Sequence, residues 1–500
     1  MSTLALAFDL VARWEVLLAI TLAAVFGLFV GAIPGLTATL AVAVLVPITF
    51  HLDPIAAVGA MVSCSAMAIF AGDIPAFLLR IPGTPASAAY ADEGYKMTLR
   101  GEAEKALGAS LLFSAVGGLF GTAVLMLAAP SLAEVALKFS SFEYFWLALL
   151  GLTSAAFVSA GDPLKGLASL LIGLSASTIG MENPIGTPRF NFGSIELLGG
   201  VNFIAALIGL FAVAEILRYA LKPSNNPHSV PQTSVGNPFR AWGKMLKTYW
   251  RNQIRGNILG VVVGALPGAG ADIAAWMAYS ISRRFSKQKE KYGTGHVEGI
   301  IESTSANNAA LGSAWVPALV FGVPGDSITA IVIGVLFVHG MNPGPTLFLI
   351  NPENIYAVFL IFIVANILLV VLGWGAIAVS KRILIIPRRL LMPVILAFCV
   401  TGAFAGNNNT FDIGVMLCFG ILGFLMEENG IPVAPCILGL LLGEVLESNF
   451  ITSMLKADGD LFAFFSRPIS AGLGILTLII WLFPLIRTVQ ALRVRRQKTA

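Results

Sequence analysis

The chain has 500 residues, of which only 12% are charged, against about 25% in an average soluble protein. Hydrophobic residues make up 57%, with 51 Gly and 33 Phe, and the net charge is a small +4. Such a composition excludes a soluble globular enzyme and a disordered scaffold, and leaves a polytopic membrane protein.

Gly and Pro inside long apolar runs point to α-helical spans, since a β-barrel would show short alternating segments. The first apolar run, 16–33, has no basic stretch ahead of it and reads as a retained helix, not a cleaved signal peptide. Runs long enough to cross about 30 Å of hydrocarbon recur at 55–72, 106–128, 143–160, 163–180, 197–217, 355–379, 390–405, 411–426, 431–446 and 469–486. With the runs interrupted by Pro-Gly, the expectation is an all-α polytopic membrane protein with about 12 crossings. Between them, 222–253 contains Pro223, Pro227, Pro231 and Pro238 and reads as a solvent loop. The predicted organisation is therefore a membrane repeat over 1–221, a cytoplasmic linker over 222–253, a second membrane repeat over 254–486 and a basic cytoplasmic tail over 487–500. The four cysteines, Cys64, Cys399, Cys418 and Cys436, sit singly in apolar surroundings and read as buried free thiols. No basic, aromatic-interleaved patch suggests nucleic acid.

The two membrane segments repeat. Gly31-Ala-Ile-Pro-Gly35 returns as Gly264-Ala-Leu-Pro-Gly268, and Pro75-Ala-Phe-Leu-Leu-Arg-Ile-Pro-Gly83 returns as Pro317-Ala-Leu-Val-Phe-Gly-Val-Pro-Gly325. Both recur in the same order and at nearly the same displacement, which signals internal duplication.

Lys and Arg mark the cytoplasmic side of a membrane protein. After the first Pro-Gly motif, the first half reaches His51-Leu-Asp53 without a basic residue, whereas the second half carries Arg283, Arg284, Lys287, Lys289 and Lys291. After the second motif the bias reverses: Lys96, Arg100 and Lys105 in the first half face none over 338–347. Equivalent loops then lie on opposite sides, the pattern of inverted-topology repeats in secondary transporters. Arg251 and Arg255 precede the segment around Pro267, and Arg283 and Arg284 follow it. That segment reads as a re-entrant hairpin of two half-span arms whose Pro-Gly tip reaches mid-membrane; one kinked full helix would leave basic clusters on both sides.

Irregular backbone at membrane depth is tolerated only inside protein or along a cavity. Breaks at Pro34-Gly35, Pro82-Gly83, Pro267-Gly268 and Pro324-Gly325 would free N–H groups there, and the helix start beyond each break favours an anion. Thr37, Thr84 and Gly270 lie just past the breaks, where a hydroxyl or close backbone approach suits a carboxylate. Ionisable residues nearby are Asp73, Arg80, Asp272 and Asp326. The three aspartates are candidates for a coupling cation, sodium or proton, and each of the four could instead snorkel to the interface. Arg80, in a run too apolar to leave a guanidinium idle, has Asp73 or a substrate carboxylate as its candidate partners. Asn307-Asn308 begins the arm to the fourth break; its amides can bind substrate or a cation, or cap a helix. His51, His228, His296 and His339 are scattered and expected in loops.

Six stretches appear together in order: Gly31-Ala-Ile-Pro-Gly-Leu-Thr37, Ile81-Pro-Gly83, Ile179-Gly-Met-Glu-Asn-Pro-Ile-Gly-Thr-Pro-Arg-Phe-Asn-Phe-Gly193, Gly264-Ala-Leu-Pro-Gly-Ala-Gly270, Ser305-Ala-Asn-Asn-Ala309 and His339-Gly-Met-Asn-Pro-Gly-Pro345. As a set, from about Gly27 to Pro345, they closely resemble the large membrane subunit of tripartite tricarboxylate transporters. The resemblance implies uptake of a small organic anion, such as citrate or another carboxylate, across the bacterial inner membrane by an ion gradient. It also implies a small integral-membrane subunit and a periplasmic solute-binding protein as partners. Two positions depart from the family pattern. Arg80 stands where Asn is usual before Ile-Pro-Gly, and Ser303-Thr304 replaces Pro-Glu ahead of the Asn pair. Both flank the implied site and leave the substrate open among organic anions.

Other function classes lack their signatures. The chain has no H-E-x-x-H, G-x-S-G or G-x-G-D of an intramembrane protease and no P-loop, so no enzymatic role and no resident cofactor is expected. A channel or structural membrane subunit is the remaining alternative, although midplane breaks in inverted repeats suit alternating access better than an open pore.

Overall fold

A chain this apolar must satisfy its backbone hydrogen bonds internally, and helices do so segment by segment. The computed structural model describes residues 3–158, 163–181, 186–221, 237–384 and 388–481. Within them the chain opens with α1 (Thr3–Ala12), α2 (Trp14–Gly31), α3 (Ala38–Thr49), α4 (Pro54–Ala71), α5 (Asp73–Leu79), α6 (Ala91–Leu99) and α7 (Ala103–Ala136). Then come α8 (Ser141–Val158), α9 (Pro163–Ser177) and two short antiparallel strands, β1 (Gly180–Met181) and β2 (Pro188–Arg189). α10 (Phe203–Ile208) and α11 (Ala214–Leu221) join through a π-helical turn. The second half runs α12 (Trp242–Gly264), α13 (Gly270–Phe285), α14 (Val297–Phe321), α15 (Ser327–Val338), α16 (Leu347–Ile350) and α17 (Pro352–Ile383). It ends with α18 (Arg388–Asn407), α19 (Thr410–Glu428), α20 (Ala434–Lys456) and α21 (Pro468–Trp481).

Eight helices of the described residues are long and apolar enough to cross a membrane, and five more apolar helices are shorter. The chain is an all-α polytopic membrane protein. Polar caps set several helix starts: Thr37 Oγ1 accepts from the Leu40 N–H, Asp53 from those of Ile55 and Ala56, and Asn202 from those of Ile204 and Ala205. The linker 222–236, the tail 487–500, His228 and 182–185 of the third motif lie outside the described residues. The rest of the expected solvent loop differs from the reading above: from Trp242 onward it is helix, with Met245 buried and Trp242 Nε1 donating to the Gly108 carbonyl. Trp242 and Met245 give this segment an apolar side that its prolines and polar residues masked. Cys64, Cys399 and Cys436 are buried free thiols, but Cys418 is exposed on α19, where a small apolar side chain suits a lipid-facing surface.

Contacts divide the chain into two compact units, residues 1–134 with 202–425, and residues 135–201 with 426–500. In the second unit, α20 packs on α9 with Gly173 against the Cys436 carbonyl and Gly439 against that of Leu170. Phe145, Trp146, Phe450 and Phe464 cluster beside them, and Arg189 grips Glu447 with two bonds of 2.6 and 2.8 Å.

The first unit holds all four Pro-Gly breaks. Small residues let its helices approach backbone to backbone, as in membrane helix pairs generally. A Cβ on Gly27 or Gly31 of α2 would meet the Cys64 or Ala68 carbonyl of α4 at 2.4 or 2.5 Å. Gly260 and Gly264 of α12 stand in the same relation to Ala306 and Ala310 of α14, at 2.3 and 2.5 Å. Gly117 and Gly121 bring α7 onto the same helix at Ser305 and Ala309.

Both break-bearing pairs are hairpins. Arg13, before α2, bonds Asp53, after α3, at 3.0 Å. Arg255 in α12 lies over the Phe285 ring at the end of α13. The arms exceed the half spans expected around Pro267: α12 has 23 residues and α13 has 16, about 24–35 Å of helix. The loops also associate by charge. Lys96 and Arg100 donate to the carbonyls of Gly293 and Gly295, in the basic loop after α13. His339 Nε2 donates to the Thr49 carbonyl at 3.1 Å, so the two loops free of Lys and Arg meet as well.

Candidate functional site

The first break follows α2. Gly35 has φ +82°, a conformation that only Gly adopts cheaply, and Pro34 is buried beside it. Thr37 is exposed, with its hydroxyl capping α3.

The second break follows α5, whose last turn closes on Arg80 in the left-handed region (φ 60°, ψ 30°). The Arg80 N–H donates to the Ala76 carbonyl and the Ile81 N–H to that of Pro75. Gly322 closes α14 in the same way, with φ 68° and donation to Ala318, while Val323 donates to Pro317. The two motifs therefore share one backbone geometry, and an Arg occupies the strained position where the other carries Gly. The Arg80 side chain is exposed and pairs with Asp92 at 2.7 Å. Its ionic partner is thus not Asp73, the candidate drawn from the sequence: the left-handed turn carries the side chain toward α6 and away from the α5 start.

Gly83 and Thr84 are buried and Pro82 half-buried. A Cβ on Gly83 would come within 2.5 Å of Gly72 Cα and 2.9 Å of the Gly31 carbonyl, so the first and second breaks touch through backbone. Thr84 and Ser87 close the following turn on each other: each N–H donates to the other's hydroxyl at 3.1 Å.

The third break has half-buried Pro267 and Gly268, with Gly268 at φ +79° and Gly270 at φ +68°. A Cβ on Gly270 would meet Asp326 Cβ at 2.8 Å, which joins this break to the fourth. At the fourth, Pro324 and Gly325 are buried, and Asp326 caps α15 in a reciprocal box with Thr329. The second and third breaks also meet: Asp272, exposed in the first turn of α13, accepts from the Ala86 N–H at 3.0 Å, and Trp276 Nε1 donates to the Pro85 carbonyl.

Asn307 and Asn308 are buried deep inside α14, so they do not cap a helix and do not begin its arm. Asn308 Nδ2 is bonded to the Thr304 carbonyl, whereas Asn307 Oδ1 has no partner among the described residues. Ser303 Oγ, one turn earlier on the same face, is likewise buried and unpartnered.

Asp73 is 1% exposed; Tyr90 Oη donates to its Oδ1 at 2.8 Å and Ser110 Oγ to its Oδ2 at 2.5 Å. Sequence reasoning missed Tyr90, Ser110 and Glu93. Glu93, 0% exposed in α6, takes the N–H groups of Gly293, Gly295 and His296 and the Tyr279 hydroxyl. The one signal was a carboxylate in a short segment just past a Pro-Gly break. Its partners lie some 200 residues away, beyond any sequence pattern.

Taken together, the breaks bring backbone, the Asp272 and Asp326 carboxylates and the helix starts of α13 and α15 to one region of the unit. Thr37 Oγ1 caps α3, Arg80 Nε pairs with Asp92, and Asn308 Nδ2 is bonded to the Thr304 carbonyl. The arrangement offers oriented N–H groups and cation-attracting carboxylates.

Residues 17–438 match the Tripartite tricarboxylate transporter TctA family. A protein of Agrobacterium vitis, described as an uncharacterized 52.8 kDa protein in TAR-I ttuC' 3'region, is 36% identical over 469 residues, covering 92% of each chain. A second from the same organism, in TAR-II ttuC' 3'region, is 34% identical over 232 residues, or 46% of this chain and 96% of its own. No solved structure matches. The family model spans most of the chain, and the protein is a member of the tripartite tricarboxylate transporter TctA family.

Proposed function

We propose that this chain is the translocating subunit of a secondary transporter that takes up a small organic anion, most simply a carboxylate, at the expense of an ion gradient. The observation that carries the reading is the meeting of the four Pro-Gly breaks: Gly83 on Gly31, Ala86 on Asp272 and Gly270 on Asp326. Broken helices that converge inside a membrane unit present N–H groups to an anion and carboxylates to a cation. The equivalent packing of α2 on α4 and of α12 on α14 supports two repeats. The association of basic loops with one another, and of Lys/Arg-free loops with one another, supports their inverted relation. On this reading 283–291 faces the cytoplasm of a bacterial inner membrane, and a small membrane subunit and a periplasmic binding protein complete the system.

Reconstitution in proteoliposomes with an imposed sodium or proton gradient tests the proposal, using labelled citrate and other carboxylates with and without the binding protein. Saturable, gradient-driven accumulation that requires the binding protein is the expected result. Unsaturable conductance without a binding protein would identify a channel instead.

A further inference from the structure

Asp73 is buried without a cation. Among the described residues no Lys, Arg or His pairs with it; Arg80, on the same helix, is turned to Asp92. α4 carries no charge at all, and Glu302 of α14 is committed to Arg255. Among the described residues only neutral hydroxyls, those of Tyr90 and Ser110, hold the carboxyl group, and Asp272 of α13 acts on Tyr90 with negative charge. An ionised carboxylate in such surroundings is strongly disfavoured, and the usual resolution is to take up a proton.

A second observation points the same way. The Asn307 amide nitrogen faces the Tyr90 hydroxyl, yet Asn307 Oδ1, on a side chain 1% exposed, has no partner among the described residues. While Tyr90 donates to Asp73, nothing donates to that oxygen. If Asp73 carries a proton, its new O–H can donate to Tyr90 Oη. The Tyr90 hydrogen then turns to Asn307 Oδ1, with the amide plane rotated so that its oxygen faces the hydroxyl. Asp73, Tyr90 and Asn307 Oδ1 are then linked in one donor–acceptor chain, and the one covalent bond formed is the carboxyl O–H.

We propose that Asp73, read out through Tyr90 and Asn307, is the proton-binding site that couples transport to a proton gradient. This rests on the transport function proposed above. Uptake of a proton neutralises the carboxyl and reorients the Tyr90 hydroxyl between α5 and α14; release restores the charge and the unpaired amide oxygen. The site lies directly behind the second break, since Gly72, the residue before Asp73, is the one that Gly83 packs against.

The test is infrared difference spectroscopy of the purified full-length chain in lipid nanodiscs, titrated with pH in sodium and in choline buffers of equal ionic strength. The wild type is expected to show a protonated-carboxyl band that Asp73→Asn lacks. That band should rise and fall with pH about a single midpoint. Tyr90→Phe should shift that midpoint, which keeps the test decisive if Asp73→Asn fails to fold. A band unchanged in both variants overturns the assignment, and so does a midpoint displaced by sodium but not by choline, which would mark a sodium site. In proteoliposomes, Asp73→Asn should lose proton-driven citrate accumulation while keeping citrate exchange. If the wild type moves no carboxylate, the transport reading fails while the infrared titration still decides the proton site.

Discussion

Gly83→Ala is the sharpest probe of the convergence of breaks. The added Cβ would stand 2.5 Å from Gly72 Cα, 2.9 Å from the Gly31 carbonyl oxygen and 3.0 Å from that of Gly72. Carbon atoms in contact prefer about 3.5–4.0 Å, so the second break must move by about 1 Å, and every obstructing atom is backbone. The Gly83 N–H bond to the Gly72 carbonyl, 3.1 Å long, would be stretched by the same displacement. Overpacking of this kind costs about 1–3 kcal/mol. Gly243→Ala is the control, because Gly243 is exposed near the start of α12 with nothing within 4 Å of its Cβ position. There the change should stabilise by about 0.5–1 kcal/mol, as Ala replaces Gly in a helix. Thermal unfolding of both variants in one detergent, alongside carboxylate uptake at matched membrane levels, reads the difference. Gly83→Ala should be the less stable by about 1.5–4 kcal/mol and should lose uptake. Equal stability and full uptake in both variants would refute the close approach of the first and second breaks and its role in transport.

Glu93→Gln places an amide NH2 against two of the four donors, which should cost at least about 2 kcal/mol and speed hydrogen exchange at Gly293, Gly295 and His296; unchanged exchange would refute the clamp. In a background without the four native cysteines, His51→Cys and Asn342→Cys should react with impermeant reagents from one side of the membrane. Lys105→Cys and Lys287→Cys should react only from the other, and mixed sidedness within either pair would refute the inverted relation. Arg80→Ala should weaken apparent affinity for the transported anion by about tenfold or more, with Arg80→Lys intermediate because it keeps the charge without the planar fork. A fall in protein abundance alone would make Arg80 a purely structural partner of Asp92.

Much of the architecture was legible in the sequence because hydropathy and Pro-Gly breaks act locally. The motifs around Pro34, Pro82, Pro267 and Pro324 do end helices where they stand, and Gly35 and Gly268 do take positive φ. The helix from Trp242 was hidden because its polar residues resemble those of the loop before it. The Asn307-Asn308 pair was misplaced for a related reason. Asn favours caps by intrinsic preference, and only the uninterrupted packing of α14 against α7 and α12 overrides it.

Composition alone required a membrane protein, since 57% apolar residues cannot be covered by a 12% charged surface, and the long apolar runs required helices. The order and spacing of its motifs also carried the family. Which carboxylate is buried, which is exposed and which ion pair forms were decided only by the tertiary structure. Asp73, Asp272 and Asp326 look alike along the chain, yet one is enclosed by hydroxyls, one is exposed with a bond to Ala86, 186 residues away, and one caps α15 beside Gly270. The state of an ionisable group depends on the dielectric and the dipoles around it, and those are supplied by segments that only folding brings together.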